Sequence, residues 1–464
     1  MQIKVSIILP SLNVAPYIRE CLDSVIGQTM QDIEIICVDA GSDDGTAEIL
    51  EEYRNKDSRI KVLHSPKKSY GLQVNMGLDE AKGDYIGLVD TDDYIRDNMY
   101  EILYERAIEW RADYVKGDFE VFVHASTGER IFMPYYVTWG CSARYGRRFG
   151  KVSITDTMET PDVFLWNGIY RKGFLDENGI RFNETLGASI QDCGVRYKIA
   201  LCLDRGYYIN KPVYFYRRDN AGASSYSPKL IVHHLNEFRS VMDFAKEKND
   251  LSDQQWSFLA REMAIITFRT YQDLLVWGNP DKETGEALEA IRDIVREIDS
   301  RNVLSAEYLS PNAMLEAGLF LDKKMCDGFA KTRAKAIREG LLSFLGNISS
   351  KEKVWIFGSN IEADYAYIFL KNNGCKNIAG FCEIDENRQG LKKYGLPVIN
   401  SEVLIENGRY PFFLISVSDL CFEDYLSWLI KKGVKREYYQ RYGGFFEQLL
   451  HPFICTNIFL KEKL

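Results

Sequence analysis

The chain has no apolar run approaching the ~20 residues that a membrane-spanning helix needs. Its ten cysteines, at 21, 37, 141, 193, 202, 326, 375, 382, 421 and 455, include no CxxC pair. The five histidines are scattered too, apart from adjacent His233 and His234. Zinc ligation and a disulfide framework therefore have little to build on, and a reducing, cytoplasmic setting is expected. His233 and His234 fall in an expected helix, where neighbours point in different directions, and read as surface rather than as ligands. Positive charge is not in excess: a net charge of −9 and a pI of about 5.4 argue against a general nucleic-acid binder. No G-x-G-x-x-G occurs, and no P-loop ending in Gly-Lys-Ser or Gly-Lys-Thr, so dinucleotide and P-loop chemistry are poor candidates for the N-terminal half. The apolar start, Ile3 to Pro10, is not followed by a small-residue cleavage site and reads as a first strand.

What is present is ordinary for a globular protein, with 46% hydrophobic and 27% charged residues over 464 positions. That length suggests about two to four domains. Ile3 to Leu9 is a strand that stops at Pro10, which cannot donate to a ladder. Pro16 suits the first turn of a helix running to about Gly27, with Asn13 or Ala15 near its cap. A second strand, Ile33 to Val38, delivers Asp39 into a polar, glycine-containing turn that ends at Thr46. A helix to about Lys56 and a third strand, Ile60 to His64, follow. Ser69-Tyr70-Gly71-Leu72 opens the next helix, which carries Gln73, Asn75 and Gly77. Tyr85 to Val89, too short for a helix and entered through Gly83, is the fourth strand. Strands alternating with helices make a doubly wound parallel sheet. Asp39 and Asp90 then share its carboxyl edge, where open α/β sheets hold ligands.

The fourth strand runs into Asp90-Thr91-Asp92-Asp93, three carboxylates within four residues. Asp93 or Asp97 could cap a helix from about Asn98 to Arg111. A cap needs one acid, however, and three in a cluster repel unless something positive neutralises them. A hard divalent cation brought in with a phosphorylated substrate fits this pattern.

The runs VSIILPSLN, VDAGSDDGT and GLVDTDDYI resemble glycosyltransferase family 2 with its GT-A fold. Further on, FLWNGIYRKGFLDENGIRF, SIQDCGVRYKIAL and PVYFYRRDNAGASS resemble that family's acceptor half, as found in bacterial polysaccharide and cell-surface glycan synthesis. The resemblance covers about residues 1–225, in the family's order and spacing. It implies a hexosyltransferase-type enzyme that moves a sugar from a nucleotide-diphosphate donor, a UDP-sugar first, to a hydroxyl of a glycan or lipid-linked glycan, with inversion. Asp39 would contact the base, with Pro10, Gly71 and Thr91 also at the donor. Asp90 and Asp92 would be the DxD pair holding Mn²⁺ or Mg²⁺, with Asp92 nearer the metal, and Asp192 the catalytic base. The sequence departs from the pattern at Ala40, where the family usually has Asp. It departs again at Gln73-Val74-Asn75, where Ala-Arg-Asn is usual. Alternatives are a sugar nucleotidyltransferase, which would be expected to carry a Gly-rich basic loop after strand one, and a catalytically silent sugar-nucleotide-binding scaffold. The chain has Pro10-Ser11-Leu12-Asn13 at that loop.

Asp192 can also be placed without the family. In a helix from about Gln191 to Asp204 the apolar residues fall at 195, 199, 202 and 203, and position 192 lies on the same face. A carboxylate there either caps the helix or looks into a cleft, and the helix start favours its ionised form. Residues 132–149 contain no acid, three Arg and six aromatics, which suits a sugar-phosphate acceptor or an ordinary surface loop. Arg144 is the candidate there. Trp166 and Asn167 open the next strand, and Trp166 serves equally as a sugar platform or as core.

The fold class expected is α/β: a GT-A domain over 1–225, a helical region over 226–350, and a small Rossmann-like α/β domain with a tail over 351–464. Helical spacing recurs in 231–246, 254–277, 285–298, 313–321 and 335–345, broken at Gly278-Asn279-Pro280. In the last domain Gly358-Ser359-Asn360 carries Asn where a second glycine would admit pyrophosphate, and Glu383 lies near the ribose-binding position. NAD binding is not expected there. The tail, Phe445 to Leu464, could dock on the body or touch the inner face of a membrane. Homo-oligomerisation is open.

Overall fold

The computed structural model describes residues 2–442, apart from 125–129, 139–141, 151–163, 189, 219, 221–226, 228, 278–279, 360, 385–389, 391, 409 and 417–418. Asn360, the Gly278-Asn279 break and the tail from Phe445 thus lie outside the described residues. The chain forms two compact units. One comprises residues 1–121, 134–274 and 279–330, and the other 122–133, 275–278 and 331–464. Among the described residues no helix is long and apolar enough to cross a membrane.

In the first unit β1 (Val5–Ser11), β2 (Ile33–Asp39), β3 (Ile60–His64) and β4 (Tyr85–Leu88) run parallel in the order β3-β2-β1-β4. Every residue of β1 and β2 is buried, as it must be when helices cover both faces of a parallel sheet. Between these strands run α1 (Ile18–Ile26), α2 (Thr46–Lys56) and α3 (Tyr70–Glu80). β5 (Tyr94–Ile95), α4 (Met99–Trp110), β6 (Tyr114–His124), β7 (Arg130–Tyr135), β8 (Gly168–Arg171), α5 (Lys172–Glu177), α6 (Gln191–Cys202) and β9 (Gly206–Arg217) follow. Beyond β4 the sheet changes character. β8 pairs antiparallel with both β4 and β6, and β5 pairs antiparallel with β9.

Two expected caps are corrected by the chain's own turns. α1 begins at Ile18 behind Tyr17, because a turn on the Val14 carbonyl precedes it. Asn13 and Ala15 are spent on the second strand's loop instead. The Asn13 N–H donates to Ser42 Oγ at 3.0 Å and its side chain accepts from Asp43 N–H at 3.0 Å. The Ala15 N–H donates to Asp44 at 2.9 Å. At α4 the flanking residue is Asn98, with no side-chain cap, so neither Asp93 nor Asp97 fills that role.

α7 (Leu230–Glu247), α8 (Asp253–Trp277), α9 (Lys282–Asp299), α10 (Pro311–Leu321) and α11 (Lys323–Ser349) carry the helical stretch, α11 being far longer than the 335–345 expected. α7 packs on α6 and on α9. His234 is a correction: it lies in the core at 5% exposure, stacked on Phe238 on the buried stripe of α7. Burial there pushes its imidazole down to about 3.

The second unit holds β10 (Val354–Phe357), β11 (Ile378–Glu383), β12 (Lys392–Lys393), β13 (Leu396–Asn400), β14 (Phe412–Ile415) and β15 (Tyr439–Arg441), with helices α12 (Ile361–Asn372) and α13 (Asp419–Lys431). The order β13-β11-β10-β14-β15 is parallel throughout, with the first strand central, as in doubly wound nucleotide-binding sheets. Glu383 is 1% exposed and its oxygens are taken. They accept from Ser359 N–H at 2.9 Å, Ile384 N–H at 3.1 Å and the Tyr425 hydroxyl at 2.8 Å.

Candidate active site

The carboxyl edge of the parallel strands is tied together before any acid is presented. Asp39 is 2% exposed and turns its carboxylate back on its own loop, accepting from the N–H groups of Gly41 (2.9 Å) and Ser42 (3.1 Å) and from the Ser42 hydroxyl. Gln73, in the departed Gln-Val-Asn triplet, donates to the carbonyls of Ser11 (2.8 Å) and Val38 (2.6 Å), clamping β1 to β2. Thr91 is buried and its hydroxyl donates to the Pro10 carbonyl at 2.9 Å, which fixes the acid turn on β1.

The three acids of that turn do different things. Asp93 is 1% exposed and structural, accepting from Arg217 N–H at 2.6 Å and the Tyr214 hydroxyl at 2.9 Å. The same Tyr214 oxygen accepts the Asp90 N–H at 3.1 Å. Asp92 is half-buried and accepts from the Asn220 amide at 2.7 Å. Asp90 accepts from the Tyr70 hydroxyl at 3.0 Å. Its carboxyl is pushed up to about 7, by burial first and then by the charges of Asp92 and Asp192, with the Tyr70 bond acting the other way.

Asp192 thus meets Asp90 from the far side of the chain. The residue before its helix, Ile190, sits at φ 57°, ψ 34°, a left-handed conformation rare for a β-branched side chain and of the kind that clusters at functional sites. Gln191 is 1% exposed and donates to the carbonyls of Thr185 (3.1 Å) and Gly187 (3.0 Å). Asp192 is therefore in the helix's first turn rather than its cap, and half-buried, with the Cys193 N–H beside its carboxyl. Burial pushes its carboxyl up, while that N–H, Arg196 and Lys116 pull it down. Lys116 is held by the Phe164 carbonyl at 2.7 Å.

The segment before α6 is stitched to the start of α3. Tyr70 N–H donates to the Gly187 carbonyl at 3.1 Å and Gly187 N–H to that of Lys68 at 2.7 Å. Asn75 donates to the Phe182 carbonyl and to Glu184, each at 3.0 Å, and accepts the Phe182 N–H at 2.9 Å. At Gly71 the chains approach so closely that a Cβ would stand 1.9 Å from the Asn183 carbonyl oxygen.

Trp166 is 4% exposed, stacked on Tyr214 at 4.1 Å and on Phe164 at 4.7 Å, so it lies in the core that supports the acid turn. Asn167 is 1% exposed and donates to the Gly117 carbonyl at 2.8 Å. Arg144 is half-exposed in a short 3₁₀ turn, Ser142–Arg144. Its neighbours are used in packing: Tyr145 donates to Asp118 at 2.8 Å, Arg148 pairs with Asp204 at 2.7 Å and Phe149 stacks on Tyr208. Sequence reasoning missed Tyr70, Gln191 and Asn220. Only Tyr70, an aromatic opening a helix beside a glycine, carried a local signal.

Among the described residues no three or more His, Cys, Asp or Glu converge as a metal cage. Asp90 and Asp92 nonetheless suit a hard cation. They supply oxygen ligands, and their mutual repulsion marks negative charge that nothing in the turn cancels. Such cations are commonly held by one or two carboxylates and completed by substrate phosphates and water.

The family model described as "Glycosyl transferase family 2" matches residues 6–177. EpsJ of Bacillus subtilis, an uncharacterized glycosyltransferase, is 30% identical over 247 residues, which are 52% of this chain and 69% of EpsJ. The chain belongs to glycosyltransferase family 2. The glycosyltransferase GlyA of Streptococcus pneumoniae is 32% identical over 46% of this chain, and that match spans only 30% of GlyA. The fold is also that of S. aureus TarS residues 1–349 solved with UDP, with a TM-score of 0.52 at 19% identity over 74% of this chain and 92% of that one. Of the GT-A parts expected for a family 2 enzyme, the parallel βα half with the acids at its carboxyl edge is present here.

Proposed function

We propose that the chain transfers a sugar from a nucleotide-diphosphate sugar, a UDP-sugar first, to a hydroxyl of a glycan or lipid-linked glycan acceptor, with inversion at the anomeric carbon. The observation that carries this reading is the meeting of Asp90 and Asp192 across Tyr70 at the carboxyl edge of β4, from opposite ends of the family's motif order. Membership of the family sets the sugar nucleotidyltransferase alternative aside.

Asp192 takes the proton of the acceptor hydroxyl as that oxygen bonds to the anomeric carbon. The bond from that carbon to the diphosphate breaks on the opposite face, and the diphosphate leaves with the electron pair. The opposed influences on Asp192 suit this role: burial makes it more basic than an ordinary carboxylate, and the helix N–H and two cations help it stay ionised. Asp90 and Asp92 would hold Mn²⁺ or Mg²⁺, which when bound would supply positive charge to offset that of the diphosphate leaving group. In this reading Asp39, Pro10, Gly71 and Thr91 sit at the donor.

Calorimetric titration of UDP with Mn²⁺, with Mg²⁺ and with EDTA tests the donor half. Affinity falls sharply with the chelator, and Asp92→Asn behaves in the same way. Equal UDP binding with and without metal would sink the cation assignment. Hydrolysis or transfer from none of the UDP-, GDP-, dTDP- and CMP-sugars would sink the reaction and favour a silent sugar-nucleotide-binding protein.

A further inference from the structure

Glu237 lies on α7, the helix packed on α6, with 1% of its surface exposed. One carboxyl oxygen accepts from the Asn183 amide at 3.1 Å, and the other has no hydrogen-bond partner among the described residues. That second oxygen occupies space that a side chain at position 194 would need, since a Cβ on Gly194 would stand 2.2 Å from it. Gly194 is two residues beyond Asp192, in the opening turns of α6. The carboxyl therefore fills a gap beneath the segment that carries the proposed base. The nearby ammonium of Lys198 is engaged elsewhere, donating to the Arg181 carbonyl at 2.9 Å and the Ser240 hydroxyl at 3.0 Å. An acid this buried and without an ion pair takes a proton rather than hold a charge.

We propose that Glu237 is a positioning residue for Asp192: an uncharged acid that seats the start of α6 and keeps a second negative charge from standing behind the base. The proposal rests on the reading of Asp192 as that base. Burial, joined by the charge of Asp192, pushes the Glu237 carboxyl up to about 8, against the Asn183 bond and Lys198. The groups facing it from α6 are Asp192, Cys193 and Lys198. Its own helix contributes His234, one turn earlier and held neutral by burial. Coupling between two titrating sites is reciprocal, so what Asp192 does to Glu237, an ionised Glu237 would do to Asp192.

An infrared pH titration of the full chain, with turnover of two variants, tests this. In the wild type a protonated-carboxyl band present at neutral pH is missing from Glu237→Gln, and it fades near pH 8. Asp192→Asn removes a charge that raises Glu237 and moves this midpoint down. Glu237→Ala opens the gap and lowers kcat by ~10²-fold, the cost of misplacing a catalytic group by about 1 Å, with UDP affinity unchanged. Glu237→Gln, uncharged and of the same shape, restores most of that turnover. A Glu237 already ionised at neutral pH, or a midpoint indifferent to Asp192→Asn, overturns the proposal. So does Glu237→Gln as slow as Glu237→Ala, or Glu237→Ala as fast as wild type. If Glu237→Ala does not fold, the Gln variant and the titration still decide. If the wild type transfers no sugar, the reading of the site fails, while the infrared midpoints still report whether the two acids are coupled.

Discussion

Asp192→Asn separates catalysis from stability in a way that a merely structural carboxylate would not. The asparagine keeps the shape of the carboxylate in the first turn of α6, but it cannot take a proton from an acceptor hydroxyl. A positioned general base is worth ~10²–10⁴ in rate, so kcat falls by that factor. That is about 2.7–5.4 kcal/mol of transition-state stabilisation at 1.36 kcal/mol per tenfold. Stability moves the other way. Burial, the largest influence on this carboxyl, raises its folded pKa above the unfolded value. The penalty of charging it is absent below the unfolded pKa, grows as pH rises from there to the folded one, and is full above it. A neutral amide removes that penalty, so the melting temperature at pH 7–8 is equal to or above that of the wild type. The assay is kcat from UDP release beside a thermal melt and UDP affinity. Near-wild-type turnover with a lower melting temperature would show a helix-start residue and nothing more. A product retaining the donor's anomeric configuration would refute the single displacement even if kcat fell.

Gly71→Ala forces a methyl to within 1.9 Å of the Asn183 carbonyl oxygen and should destabilise by ~1–3 kcal/mol, the usual cost of overpacking; an unchanged melting temperature would contradict the close approach. Trp166→Ala removes the ring stacked on Tyr214 and should cost ~3–5 kcal/mol, the range for a buried aromatic. The milder Trp166→Phe should leave the acceptor KM unchanged, and a large rise in that KM with little loss of stability would restore the sugar-platform reading.

The parallel half was legible because its signals are local. Buried runs such as Ile33 to Asp39, the acid turn after β4 and the periodic stripe around Val195 each carry their own periodicity or composition. Caps failed where a tertiary partner won: Asn13 was read as a cap, and the structure gives its bonds to the Ser42–Asp43 loop. The antiparallel return of β8 beside β4 depends on pairing across more than 80 residues, which no local pattern reports. Tyr70 and Glu237 were invisible for the same reason, since each acquires its meaning from a residue more than a dozen positions away. His234 misled because adjacent residues on a helix do face apart, yet one of the pair still had to fall on the buried stripe.

The stitching of α3 to residues 182–187 has a mechanical consequence. The paired bonds between Lys68, Tyr70 and Gly187, with the three made by Asn75, leave no hinge between the segment that leads to Asp192 and the helix whose Tyr70 holds Asp90. Rotation at that seam would break several hydrogen bonds at once, and the two buried ones between Asn75 and Phe182 would each cost ~1–3 kcal/mol if left unmade. In the proposed reaction the distance between proton acceptor and departing diphosphate is then set during folding, before any sugar arrives. Discrimination among donors would follow from which sugars fit a gap of constant width, rather than from a jaw that closes on the right one.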